Sequence, residues 1–258
     1  MPQCMPLPSP PPLRQRGVSL LIVLIFVMLT MLLTLWASRT ALFNEMVVGN
    51  DADWQRSFEA AQTLLQDAEL DIHGMRANGS LCTPGGGSSK VCRASGVLQI
   101  PLELGGGQDG VFTLFNSLEP LPKEGRRCKD ALCLKPERDQ RSDFWNDKRI
   151  LKKMQETGAR YGTYTGAKVG SSSAPGNPIL AETGSDKGGW YWVEVMRLNK
   201  ASSAKRIIAD YANEGNNWIV NINSTPPVIY RITALANGRK PNTQVVLQEV
   251  YVVNKLKE

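Results

Sequence analysis

Residues 18–37 (VSLLIVLIFVMLTMLLTLWA) run for twenty positions without a charge, and Arg39 carries the next one. At 1.5 Å per residue, a helix of that length spans about 30 Å, the thickness of a bilayer's hydrocarbon core. Leu, Ile, Val, Met and Phe fill almost every position, and the hydroxyls of Ser19, Thr30 and Thr34 can bond back to the helix's own carbonyls. A helix buried in a soluble core rarely runs so far without a polar face. The run reads as a membrane helix. Arg14 and Arg16 precede it, so the positive-inside rule holds the N-terminus in the cytoplasm and sends the rest of the chain across. The run exceeds the apolar core of a secretory signal, and Trp36-Ala37-Ser38-Arg39 is a poor site for signal cleavage.

Beyond Arg39 the chain stays helix-prone. Gly49-Asn50-Asp51 is an expected weak point, where Asn50 or Asp51 would cap a restart. Trp54, Phe58, Ala61, Leu65, Ala68 and Ile72 then recur at alternating spacings of four and three, predicting an amphipathic helix with one apolar seam. Asp51, Asp53, Asp67, Glu69 and Asp71 are expected on its solvated face. Gly74 and Asn78-Gly79 should end it, with His73 at a C-terminus whose dipole suits a positive imidazole. Continuous from residue 18 to 73, such a helix would be roughly 84 Å long.

The remainder reads as a β-rich head. Strand-like runs are expected over 97–104, 111–115, 190–198, 206–211, 218–222, 228–236 and 243–253, half-buried on the helix, with Asn237-Gly238 in a hairpin turn. A short helix is expected over 142–156, and a long loop over the glycine- and serine-rich 157–189. The fold class is α+β: one long helix on an antiparallel sheet of four or more strands.

With Cys4 near the N-terminus, the exported part keeps four cysteines. An even number in an oxidising compartment implies two disulfides, most simply Cys82–Cys92 and Cys128–Cys133 by closeness in sequence, although three connectivities are open. The rival is a Cys₄ zinc site; the Cys128–Cys133 spacing barely fits its usual pairs and Cys82–Cys92 does not.

Little in the chain points to catalysis. The single histidine rules out a multi-histidine metal site, and no nucleophile–base pair stands out. The triplets at 85–87 and 105–107 lack the Gly-Lys-Ser/Thr of a phosphate loop and open no predicted helix. The Ser-x-x-Lys match at 202–205 lacks its companion motifs, and no calcium-loop spacing is present. Neither an enzyme nor a cofactor is expected. The 30 Lys+Arg against 24 Asp+Glu give +6, too mild an excess to argue for nucleic acid by itself. Lys148, Arg149, Lys152 and Lys153 concentrate charge on the short helix, with Arg126, Arg127 and Lys129 nearby in sequence. They form a candidate patch for DNA or a partner, or simply a solvated basic face. Trp190-Tyr191-Trp192 is a candidate aromatic contact with at least one ring in the core.

The junction Arg14-Gln15-Arg16-Gly17-Val18-Ser19-Leu20 resembles the class III leader of type IV prepilins. Further residues resemble PilX-type minor pilins: Arg39-Thr40-Ala41-Leu42, Gly49-Asn50, Phe58-Glu59-Ala60-Ala61 and Asp67-Ala68-Glu69 near the start, and Val228-Ile229-Tyr230-Arg231-Ile232-Thr233 and Val245-Val246-Leu247-Gln248 near the end. The likeness covers roughly residues 13–73 and 228–253. It implies a pilin fold divided into a leader (1–17), a membrane and filament-core helix (18–38), its amphipathic continuation (39–73) and a periplasmic head (74–258). It also implies cleavage by prepilin peptidase between Gly17 and Val18 with methylation of Val18, residence in the inner membrane and then in the pilus, and sister minor pilins, the major pilin and a PilC/PilY-type tip adhesin as partners. Major pilins carry a glutamate at the fifth mature residue, where this chain has Ile22. A carboxylate without a partner would be costly there. Its omission implies a priming or tip position, a feature shared with the tip pseudopilin of type II secretion, which remains the alternative. A bitopic receptor that keeps residues 1–17 is a third reading.

Overall fold

The computed structural model describes residues 18–82, 90–94, 96–100, 107–123, 126–135, 143–171, 173–174, 176–200, 206–208, 219–220 and 228–252. The chain divides into two units, one up to Asn50 and one from Asp51 onward. Helix α1 covers Val18–Ile72, and the expected weak point at Gly49-Asn50-Asp51 is helical. The leader expected over 1–17 and the match at 202–205 lie outside the described residues.

In the second unit the sheet is built around β3 (Gly188–Lys200). One edge of β3 pairs antiparallel with β6 (Val228–Asn237) from Gly188↔Asn237 to Arg197↔Val228, and β7 (Gln244–Tyr251) follows outside β6. Asn237, expected in the turn, is the last residue of β6 and pairs with Gln244, and Gly238 opens the 238–243 connection to β7. The other edge of β3 takes β2 (Leu132–Leu134), with β1 (Cys128–Lys129) beyond it, and further along takes β4 (Arg206–Ile208), which pairs β5 (Ile219–Val220). The α+β expectation holds. The β2–β3 pairing is parallel, with Leu132 opposite Val193, whereas the other pairings are antiparallel. A parallel neighbour needs a long crossover, and residues 135–187 supply one. That crossover contains α3 (Lys148–Thr157), capped by Asp147, and the short α4 (Pro178–Ala181), capped by Asn177.

β3 is covered on both faces, not half-buried. Tyr191, Val193 and Val195 pack with Ala60, Ala61, Leu64, Ala68 and Ile72 of α1. Trp190 and Trp192 pack with Phe144, Leu151 and Met154 on the other side. All three aromatics of the Trp-Tyr-Trp run are therefore core, and the candidate aromatic contact is withdrawn. The expected strand at 111–115 is instead part of helix α2 (Gly107–Leu118), which buries Val111, Leu114 and Leu118. Short apolar runs do not distinguish the two by pattern alone. Gly107 thus opens a helix where none was expected, although no Gly-Lys-Ser/Thr follows it. Residues 97–100 form no strand, and 101–104 lie outside the described residues.

At Gly158 an added Cβ would lie 2.7 Å from Trp192 Nε1, the atom that donates to the Met154 carbonyl at 2.8 Å. The indole is rigid and fully buried, so Gly158→Ala is expected to cost about 1–3 kcal/mol. Urea unfolding followed by tryptophan fluorescence checks it.

Candidate assembly interface

Two parts of α1 carry the candidate functions, and they obey different rules. In the first unit, no side chain over 18–37 is buried by the protein itself; Leu20 is 77% exposed and Trp36 72%. Thr30 and Thr34 donate to the carbonyls of Val27 and Met31, each at 2.9 Å, so both threonine hydroxyls are satisfied within the helix. What remains is an uninterrupted apolar surface, long enough to cross a membrane. Such a surface needs lipid or other helices around it. Ile22 contributes to it with an apolar side chain.

In the second unit, α1 buries Asp53, Ser57, Ala60, Ala61, Leu64, Asp67, Ala68, Asp71 and Ile72. The expected seam holds at Ala61, Ala68 and Ile72, which are fully buried, with Phe58 and Leu65 packed partly against the core. The buried face extends beyond it to Asp53, Ser57, Ala60, Leu64, Asp67 and Asp71, and Trp54 at its start is 49% exposed and stacks on Phe58. Three of the carboxylates expected in solvent are buried. Each holds a different loop of the head. Asp53 accepts from the N–H groups of Arg239 and Lys240, at 3.0 and 2.9 Å, in the β6–β7 turn. Burial pushes its carboxyl up, but those bonds and one from Thr243 outweigh it and hold the group below its ordinary value. Asp67 accepts from Gly162 N at 2.8 Å and from the Thr165 hydroxyl. Asp71 forms a two-pronged pair with Arg93, at 2.7 and 2.6 Å, and accepts from Tyr191 Oη at 3.0 Å. His73, expected as a dipole partner, bonds instead to the Tyr251 hydroxyl on β7.

Burial dominates at Asp67 and raises its pKa from 3.8 to about 6, against the bonds from Thr165 and Gly162. The folded value lies above the unfolded one, so the group stabilises most below pH 3.8 and loses that contribution as pH rises through 6. Acidification from pH 7 to 4 should therefore stabilise the wild type relative to Asp67→Asn by roughly 2 kcal/mol, most of what a shift of about two units can supply. Parallel denaturation series of the two proteins between pH 4 and 7 test it; equal pH slopes would refute it.

The remaining candidate residues are scattered. Disulfides join Cys82 to Cys92 and Cys128 to Cys133. Lys148, Arg149, Lys152 and Lys153 are exposed on α3, whose other face buries Leu151 and Met154. Arg126 does not extend that patch: it is buried against Glu194 at 3.3 Å and over the Phe144 ring. Arg231 also pairs with Glu194. Among the described residues no group of three His, Cys, Asp or Glu side chains is placed to hold a metal ion. The buried aspartates, Arg93 and Glu194 are sites that the sequence pattern does not reveal. The 53-57-60-64-67-71 spacing is a signal for the aspartates, but it has the same period as the apolar seam beside it.

Residues 116–253, from the last turn of α2 to the end of β7, match the family described as Type IV pilus assembly protein PilX C-term. The chain belongs to this PilX family. No curated protein and no solved structure matches it. The match includes the middle of the chain, which carries no motif of its own. The protein is thus a PilX-type minor pilin involved in type IV pilus assembly, in a family whose role is structural, with an apolar helix suited to membrane anchoring and a head made to work among other pilus components.

Proposed function

We propose that this PilX-type minor pilin primes assembly of the type IV pilus and stays at its tip. The observation that carries the reading is the bare apolar helix over 18–37 with Ile22 at the fifth position after Gly17. A subunit at the end of a fibre has no amine-bearing neighbour to neutralise, and a carboxylate there would only incur a desolvation cost. On this reading residues 1–17 are a leader that prepilin peptidase removes between Gly17 and Val18, and Val18 is then methylated. Residues 18–38 rest in the inner membrane and pass into the filament core, 39–73 continue the helix, and 74–258 form a periplasmic head that later reaches the cell surface. Sister minor pilins, the major pilin and a PilC/PilY-type tip adhesin are its partners, and it performs no catalysis. The PilX family favours the pilus over type II secretion.

Intact-mass and N-terminal analysis of the membrane-extracted protein should find a methylated Val18 start, and deletion of the gene should strip the cell of surface fibres. An uncut Met1 start, or unchanged fibre counts, would overturn the reading.

A second reading rests on Lys148, Arg149 and Lys152, which are exposed and make no ion pair among the described residues. With Lys153 they offer a cationic face to DNA. Replacing all four with glutamine should then weaken DNA binding and flatten its dependence on salt, the slope falling by about 0.9 for each phosphate no longer neutralised. Unaltered binding would leave only a solvated face.

A further inference from the structure

The two cystines occupy opposite environments. Cys133 is fully buried and Cys128 nearly so, with Met154 Sδ 3.8 Å from Cys128 Sγ. Cys82 and Cys92 are half-buried and line an open cleft with Asp71, Met75, Gln99 and Ile100. Arg76 Nε donates to Cys92 Sγ at 3.4 Å. A guanidinium beside a sulfur favours the thiolate, and a stabilised thiolate is the better leaving group in exchange.

The backbone at this cystine is strained. Cys92 and Arg93 have φ of 61° and 44°, a left-handed region that residues other than glycine seldom occupy unless restrained. Cys92 N–H bonds to the Tyr164 carbonyl at 2.7 Å. Arg93 spends its guanidinium on Asp71, on the Leu98 carbonyl and on the Asp130 carbonyl, the last two at 3.0 Å, and lies over the Tyr164 ring. One residue thus ties α1, the 90–100 segment and the β1–β2 turn together, next to the more accessible disulfide.

We propose that Cys82–Cys92 is a thiol-exchange site, opened by an external dithiol and coupled through Arg93 to the end of α1. One thiolate of the dithiol attacks Cys82 Sγ. The Sγ–Sγ bond breaks, and its electron pair leaves on Cys92 Sγ beside Arg76. The second thiol of the reagent then displaces Cys82 from the mixed disulfide. The reagent ends as a disulfide, having passed two electrons and two protons to the pair of cysteines. Once untethered, the 92–93 backbone leaves the left-handed region and Arg93 loosens its grip on Asp71. The partner chemistry is that of a protein dithiol with an exposed, reactive thiolate. The inference is independent of the pilus reading.

The test uses the full-length protein in detergent, with dithiothreitol as the probe and timed alkylation read by mass mapping. Cys82–Cys92 should open at least about tenfold faster than Cys128–Cys133. Arg76→Gln should slow that opening severalfold while leaving Cys128–Cys133 unchanged, and Arg76→Lys should restore most of the rate. In the singly reduced protein, hydrogen exchange should show lost protection at Cys92 and Leu98 but retained protection at Val193, which bonds to the Ala131 carbonyl. Simultaneous reduction of both cystines, or an unchanged rate in Arg76→Gln, would overturn the exchange site. Retained protection at Cys92 and Leu98 would overturn the coupling.

Discussion

Asp71→Ala is expected to destabilise the head by about 3–5 kcal/mol, a large share of the roughly 5–15 kcal/mol that holds a typical domain together. The side chains of Arg93 and Asp71 are 4% and 2% exposed, so neither has water to fall back on. Removing the carboxylate leaves a buried guanidinium with two carbonyls and no counter-charge, and leaves the Tyr191 hydroxyl without its acceptor. The loss comes mainly from that stranded charge, not from the intrinsic worth of the pair. The double variant Asp71→Leu with Arg93→Met should therefore recover part of the deficit, because an apolar pair buries no charge, although the Tyr191 hydroxyl and the Leu98 and Asp130 carbonyls still lose these partners. Chemical unfolding of the wild type, the single variants and the double variant reads both effects. A double variant as unstable as Asp71→Ala would show that Arg93 matters for its bonds to Leu98 and Asp130 and not for its charge.

The second large effect lies at the other end of α1. Met28 is near the middle of the apolar run and is 59% exposed. An arginine at the centre of a membrane helix costs about 2.5–3.5 kcal/mol on insertion scales. That corresponds to a fall on the order of a hundredfold in the inserted or helix-packed population. Met28→Arg should accordingly lose its place among sheared fibres while its head still forms both disulfides. Met28→Leu, equally apolar, should behave as wild type. Co-sedimentation of the arginine variant at wild-type amounts would remove the packing role proposed for this helix.

Much of the architecture was legible. The membrane-length helix follows from composition over one window, with no partner needed to recognise it. The runs that became β3, β6 and β7 were visible from β-branched and aromatic residues, and the β6–β7 turn from Asn237-Gly238. Strands as short as β1 and β2 leave too few residues for any periodicity, so the parallel docking of β2 on β3, with β1 antiparallel beyond it, is invisible in the pattern. Helix α2 was lost for a related reason, since Val111, Phe112, Leu114 and Phe115 satisfy a strand pattern as readily as a helical one.

On α1 the apolar seam holds at Ala61, Ala68 and Ile72, and what the pattern misses is the acidic side chains buried beside it. A pattern search treats Asp53, Asp67 and Asp71 as solvent-seeking, yet each is buried because its partners arrive from far along the chain. The N–H of Gly162 comes from 95 residues away and that of Arg239 from 186. Sequence alone determined where the chain is too apolar for water and where it can extend, because transfer free energy and backbone preference are properties of short segments. Only the tertiary structure decided which carboxylates lie inside, which cystine stays reachable and that both faces of β3 are covered. Desolvation depends on what packs from elsewhere, and a buried charge is tolerable only once its counterpart is in place.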